Sequence, residues 1–117
     1  MSSVLIIATV GCVVANGFIA IADYAKAPFV LANSAEVRLP PAAVPYLATA
    51  KLLGAAGLLL GLLGVPRVGL AAGIGLTAFF VGAVVAHVRA RVFHNIAFPC
   101  GYLLLAVAGT GFFVGEV

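Results

Sequence analysis

Four long apolar segments dominate the pattern of the chain, and shorter polar stretches separate them. The segments cover about residues 3–24, 41–64, 66–88 and 93–115. Each is close to the roughly 20 residues with which an α-helix crosses the ~30 Å hydrocarbon layer of a bilayer. The pattern therefore predicts an all-α integral membrane four-helix bundle, formed by one transmembrane domain over residues 1–117.

The composition supports a membrane protein. Hydrophobic residues make up 65% of the chain and charged residues 8%, and the mean hydropathy is +1.30. A soluble domain of 117 residues could not bury this much apolar surface. The lipid bilayer is thus the first expected partner.

The connection between the first two segments is not an ordinary loop. Residues 28–33 are mostly apolar, Glu36 and Arg38 follow, and Pro40 and Pro41 end the stretch before the next helix. We expect a short interfacial helix or turn, which acts either as a linker or as a lid. A cleaved signal peptide is the alternative for the first segment, but its start has no basic residue and its apolar stretch is too long.

The basic residues predict an orientation. Lys26 and Arg38 lie in the first connection and Arg89 and Arg91 in the third, whereas Arg67 lies on the opposite side. The positive-inside rule then places both termini outside a bacterial plasma membrane. The net charge of +3 reflects this topology, and the scattered basic residues do not predict nucleic-acid binding.

Lys51 is the most unusual residue, because it is the one charged residue in the second apolar segment. An unpaired charge deep in a bilayer costs at least ~2.5 kcal/mol, and such residues usually have a function. Lys51 therefore needs a charged partner or a wet cavity. An ion pair with Asp23 would offset the cost while adding little net stability.

The other polar residues predict a pocket at the cytoplasmic side. Asn16 and Asp23 are seven residues apart, nearly on one face of the first helix, and His87 lies near the end of the third. If they face inward, Lys51 and Asn16 form the floor of a pocket in which Asp23 and His87 are the candidate proton-transfer residues.

Two further polar residues are assigned to this pocket. Arg91 follows the third helix and Asn95 opens the fourth, and both are candidate ligand contacts. Alternatives without a binding role stay open for these residues: Asp23 as an interfacial partner of Lys26 or Arg91, His87 as a headgroup-level histidine at a helix end, Arg91 as a topology anchor, and Asn16 as an interhelical hydrogen-bond residue.

Neither the cysteines nor the histidines predict a cofactor site. Cys12 and Cys100 differ in depth and form no C-x-x-C pair, and the two histidines lack ligand spacing. No metal or haem site is therefore predicted.

Glycine is abundant, with 14 residues, and spacings such as Gly111 to Gly115 favour close helix crossing within the bundle or in a homo-oligomer.

The order of several motifs resembles the DoxX-like family of small four-helix membrane proteins. The matching stretches are GFIAIADYAK (17–26), APFV (27–30), LP (39–40), KLLGAAGLLLG (51–61) and VGAVVAHVRA (81–90). The resemblance covers nearly the whole chain, and it rests on order and spacing because each motif is apolar and glycine-based. It implies a redox-associated role near the quinone pool.

Three functions follow as hypotheses. The leading one is a redox-associated membrane subunit that binds a quinone-like or other lipophilic small molecule, or a redox partner protein, at the cytoplasmic-side pocket. The second is a membrane-embedded enzyme, an isomerase, cyclase or epoxide-opening catalyst, with Asp23 or His87 moving protons and Lys51 stabilising negative charge. The third is a small multidrug-type transporter, although Asn16 stands where that type has an embedded glutamate.

The predicted topology can be tested with an impermeant thiol reagent. In a background without Cys12 and Cys100, we expect Ser2→Cys to be labelled from outside and Ser34→Cys to be protected until the membrane is opened. Labelling of Ser34→Cys in intact cells would contradict the orientation.

Overall fold

The computed structural model describes residues 2–117, and it is helical with no strand in that range. The elements are α1 (Ser2–Tyr24), α2 (Pro28–Glu36), α3 (Val44–Leu62), α4 (Pro66–Arg89) and α5 (Ala97–Glu116), with a 3₁₀ turn at Pro41–Ala43 before α3. Within these residues four helices are long and apolar enough to cross a membrane: α1, α4, α5, and α3 together with the 3₁₀ turn. The prediction of an all-α membrane fold is confirmed.

The four long helices form a ring in which α1 packs against α3 and α5, and α4 packs against the same two helices. Neighbouring helices in the ring run antiparallel; short connections join α3 to α4 and α4 to α5, whereas α2 lies in the longer connection from α1 to α3. The helix α2 lies at the end where α1 and α4 finish and α3 and α5 begin. We call this the α2 end of the bundle.

Glycine lets the helices approach closely in the half of the bundle away from α2. A Cβ atom on Gly57 would lie 2.6 Å from the Cβ of Ala72, and one on Gly61 would lie 2.6 Å from the Cα of Gly69. The ring of Phe113, which is fully buried, fills the space beside Gly61 and Gly69. The backbones of α3 and α4 are therefore in direct contact at this level, and the predicted intramolecular use of the glycines is correct here.

Each of three helices ends at the α2 end with a basic residue in the left-handed region. Lys26, Arg38 and Arg91 have φ of 54°, 66° and 58°. In each turn the next N–H reaches back five residues, as in the bond from the Val92 N–H to the His87 oxygen at 2.9 Å, which is the Schellman arrangement. Glycine is the usual residue at this left-handed position. The basic side chains that occupy it here interact favourably with the negative, carboxyl end of the helix dipole.

Two predicted boundaries differ by more than one residue from those of the observed membrane-spanning segments. The fourth helix begins at Ala97, four residues later than predicted, because the left-handed turn at Arg91 is followed by irregular turns through Ile96. The second ends at Leu62, two residues early, because Gly64 adopts φ of 124° and closes another such turn.

Some glycines are not used in the bundle. A Cβ atom on Gly111 or Gly115 would meet no heavy atom within 4 Å, so these residues do not support the helix crossing that their spacing predicted inside the bundle. A homo-oligomer stays a prediction.

The side chain of Ser34 is buried, at 8% exposure, so the neighbouring exposed Ala35 is a better position for the labelling experiment.

The close approach of α3 and α4 gives a stability prediction. Gly61→Ala should lower the melting temperature, because its Cβ would overlap the backbone of Gly69 and overpacking costs about 1–3 kcal/mol. Gly111→Ala is the matched control, and it should be neutral or stabilising because alanine is the better helix former by about 1 kcal/mol. Thermal melting followed by far-UV circular dichroism would measure both. Equal melting temperatures for the two variants would contradict this packing.

Candidate functional site

A cavity of about 730 Å³ lies in the α2 end of the bundle. Its size falls within the range of small-molecule binding pockets, about 300–1,000 Å³. Residues from all five helices line it, and most are apolar. The polar lining residues are Asp23, Asn33, Ser34, Lys51, His87, Asn95 and Tyr102.

Lys51 and Asp23 form an ion pair at the wall of this cavity. The Nζ atom of Lys51 lies 2.8 Å from Oδ2 of Asp23, and the two side chains are 13% and 4% exposed. The ammonium also lies 5.6 Å from the centroid of the Phe79 ring, within the range of a cation–π contact. Both charges are thus largely removed from water while they remain at the cavity surface.

The helix geometry explains how this pair forms. Asp23 is one residue from the end of α1, whereas Lys51 lies seven residues inside α3 from Val44. The flexible four-carbon stem of lysine lets the ammonium reach toward the α2 end along apolar surface. The predicted need for a charged partner at Lys51 is met by Asp23.

A second polar cluster joins α2 to the opposite wall. Nδ2 of Asn95 donates a hydrogen bond to Oδ1 of Asn33 at 2.8 Å, and Nε2 of His87 lies 3.3 Å from the same oxygen. Nδ1 of His87 lies 2.9 Å from the carbonyl oxygen of Ala83, one turn earlier in α4. Oδ1 of Asn95 is buried and has no hydrogen-bond partner among residues 2–117.

Three aromatic rings form the boundary between the cavity and the glycine-packed half. Phe80 lies 5.0 Å from Phe79 in an edge-to-face contact and 5.2 Å from Tyr102, measured between ring centroids. All three rings line the cavity. We call them the aromatic layer. The Tyr102 hydroxyl donates to the carbonyl oxygen of Ala15 at 3.1 Å and so ties α5 to α1.

The structure brings four of the six predicted site residues to one cavity and leaves two elsewhere. Asp23, Lys51, His87 and Asn95 line it. Asn16 is fully buried, and its Nδ2 donates to the Cys12 carbonyl oxygen at 2.9 Å within α1. Asn16 is absent from the cavity lining and does not form the predicted floor beside Lys51. Arg91 is exposed in the turn after α4 and is not part of the lining.

The sequence interpretation missed Asn33. It lies in α2 and links that helix to His87 on α4 and to Asn95 before α5. An amide at the end of an otherwise apolar run was the available signal, because a polar side chain in such a run needs a partner. Which partner it finds depends on the docking of α2, and the sequence pattern does not give this.

No group of three or more His, Cys, Asp and Glu side chains is arranged to hold a metal ion among the residues that the structure describes. Both cysteines there are free, with Cys12 in the core.

A family model for the DoxX-like family matches residues 7–109 of the chain. The matched region includes every polar residue that lines the cavity. No curated protein and no solved structure matches the chain significantly.

The ion pair gives a second stability prediction. Lys51→Met alone should destabilise the protein by about 3–5 kcal/mol, because it leaves the buried Asp23 carboxylate without its cation. Lys51→Met combined with Asp23→Asn removes both charges and should melt at the temperature of the wild type or above. Far-UV circular dichroism in detergent measures all three proteins. A double variant as unstable as the single one would show that the charges are required for folding.

Proposed function

The chain belongs to the DoxX-like family, and we propose that it is a redox-associated membrane subunit whose cavity binds a quinone-like or other lipophilic small molecule. The observation that carries this proposal is the position of Lys51. Its ammonium is fixed by Asp23 at the wall of a cavity whose remaining surface is mostly apolar. Such a cavity suits a ligand that is apolar over most of its surface and polar at one point.

The charge balance of the site favours an uncharged ligand. Lys51 and Asp23 together are neutral, and an anion beside Lys51 would compete with the carboxylate. A carbonyl oxygen can accept a hydrogen bond from an ammonium hydrogen that Asp23 does not use, since lysine has three donors. The ligand class proposed is therefore a neutral molecule with a carbonyl group.

The cavity walls fit a flat ring. Phe79, Phe80 and Tyr102 bound the cavity on one side, and aromatic faces pack well against planar ring systems. The cluster of Asn33, His87 and Asn95 supplies further polar atoms, including His87 Nε2. A bound quinone would supply two-electron redox chemistry, and a partner protein would exchange the electrons.

The residues of the chain would then hold the ligand and manage protons. Lys51 donates to one oxygen, and Asp23 fixes the ammonium against that oxygen. His87 stands at the α2 side of the same cavity, where an imidazole nitrogen can donate or accept a hydrogen bond or pass a proton to a ligand oxygen. The apolar walls exclude water from the ring.

The two alternative functions gain no support from the hydrogen bonds. Among residues 2–117 Asp23 is paired with Lys51, and His87 contacts Asn33 and Ala83; no hydrogen bond joins Asp23 to His87. The arrangement therefore does not favour an enzyme in which Asp23 and His87 act as a hydrogen-bonded pair. Asn16 lies outside the cavity lining, so the site does not resemble that of a small multidrug-type transporter.

A thermal-shift titration tests the proposal. A decyl-substituted benzoquinone should raise the melting temperature of the wild-type protein in nanodiscs, because a ligand at ~100 times its Kd stabilises the folded state by about 2.7 kcal/mol. The double variant Lys51→Met with Asp23→Asn should lose this shift, since the donor and its partner are gone while no lone charge is left to unfold the protein.

The control is Lys26→Met, which removes an equal charge from an exposed turn outside the cavity. It should keep the full shift. A shift of equal size in the double variant, or none in the wild type, would contradict the proposal.

A further inference from the structure

A second depression lies next to the cavity on the outer surface of the α3–α4 pair. It has a volume of about 270 Å³, and Ala50, Gly54, Ala72, Gly75 and Leu76 contribute to its walls. We call it the α3–α4 groove. Phe79 lines both the groove and the cavity, so the two spaces meet at that ring, beside the Lys51 ammonium.

The face of α4 that runs from the groove to the cavity carries small residues on either side of Phe79. Gly75, Phe79, Gly82 and Ala86 follow one another at spacings of four, three and four residues, and therefore lie along one face of α4. Gly82 is exposed, lines the cavity, and would offer free space to a Cβ atom. Because Gly75, Gly82 and Ala86 are small, this face of α4 leaves a gap beside α3 in the surface that faces the membrane.

The α1–α5 side of the cavity carries large aromatic side chains and a hydrogen bond between the two helices. Phe18 and Phe98 line the cavity there, and the hydrogen bond from Tyr102 to the Ala15 oxygen ties the two helices together. The α4 face beside α3 instead carries Gly75 and Gly82, which have free space in place of a side chain, so we take the α3–α4 side as the exit for an elongated ligand with its head beside Lys51.

We propose that the ligand of this cavity carries a long hydrocarbon chain, and that the chain leaves past Phe79 and lies in the α3–α4 groove. The inference rests on the proposed function and deepens it, because it assigns the substrate class: a tailed, lipid-soluble carbonyl compound, with its head at Lys51 and its tail along the membrane-facing surface. The bilayer is as apolar as the groove, so the groove acts by van der Waals fit and by leaving the exit free.

The test fills the groove without disturbing the bundle. Gly75 is exposed and its Cβ would meet no heavy atom within 4 Å, so Gly75→Leu should fold. Ala50→Leu, on the α3 wall, is the second variant. Gly111→Leu is the control, because Gly111 has the same free space on α5 and lines neither the cavity nor the groove.

The probes are a decyl-substituted and a methyl-substituted benzoquinone, titrated against each protein in nanodiscs with the thermal shift as readout. We expect Gly75→Leu and Ala50→Leu to weaken binding of the decyl compound at least about tenfold, equivalent to ~1.4 kcal/mol, with binding of the methyl compound unchanged. Gly111→Leu should bind both as the wild type does.

The outcomes separate this inference from the proposed function. If the wild type binds neither compound, the proposed function fails and the inference fails with it. If the wild type binds both and the groove variants keep full affinity for the decyl compound, the inference alone is overturned. An equal loss in Gly111→Leu would also overturn it, because the effect would then not belong to the groove.

Discussion

The ion pair between Lys51 and Asp23 connects the fold of this protein to its site. A lysine inside a membrane helix is tolerated only when something replaces the water that its ammonium loses. Asp23 supplies that replacement at 2.8 Å, across the contact between α1 and α3. A buried ion pair adds little net stability compared with apolar residues. The proposed function therefore assigns the pair to what the ammonium offers to the cavity and not to what it adds to folding.

The two halves of the bundle are built differently, and the difference creates the cavity. Away from α2, Gly57 and Gly61 bring the backbone of α3 against α4, and Phe113 fills the remaining space. At the α2 end the aromatic layer and the Lys51 side chain hold the helices apart. The short helix α2 then covers the opening, where Asn33 joins it to His87 and Asn95. The chain thus combines a tightly packed half with a half that contains the cavity.

Sequence patterns predict the helices well and the side-chain partners less well. The apolar segments locate α1 and α4 within a residue or two, since length and hydrophobicity decide membrane crossing. The start of α5 was placed too early, because the left-handed turn at Arg91 leaves no glycine signal in the sequence. Asn16 and Asp23 share a face of α1, yet only Asp23 lines the cavity, since Asn16 lies about two helical turns deeper, next to Ala15, whose oxygen accepts the Tyr102 hydrogen bond.

The central claim is that Lys51 is held in place for a ligand. An experimentally determined structure of the protein, extracted with its own membrane lipids and without added ligand, tests this most directly. Our account predicts density for a flat head group within hydrogen-bond distance of the Lys51 Nζ atom and in contact with Phe79. A cavity closed by α2 side chains packed between Lys51 and His87, or filled by a lipid chain that makes no polar contact with Lys51, would contradict it.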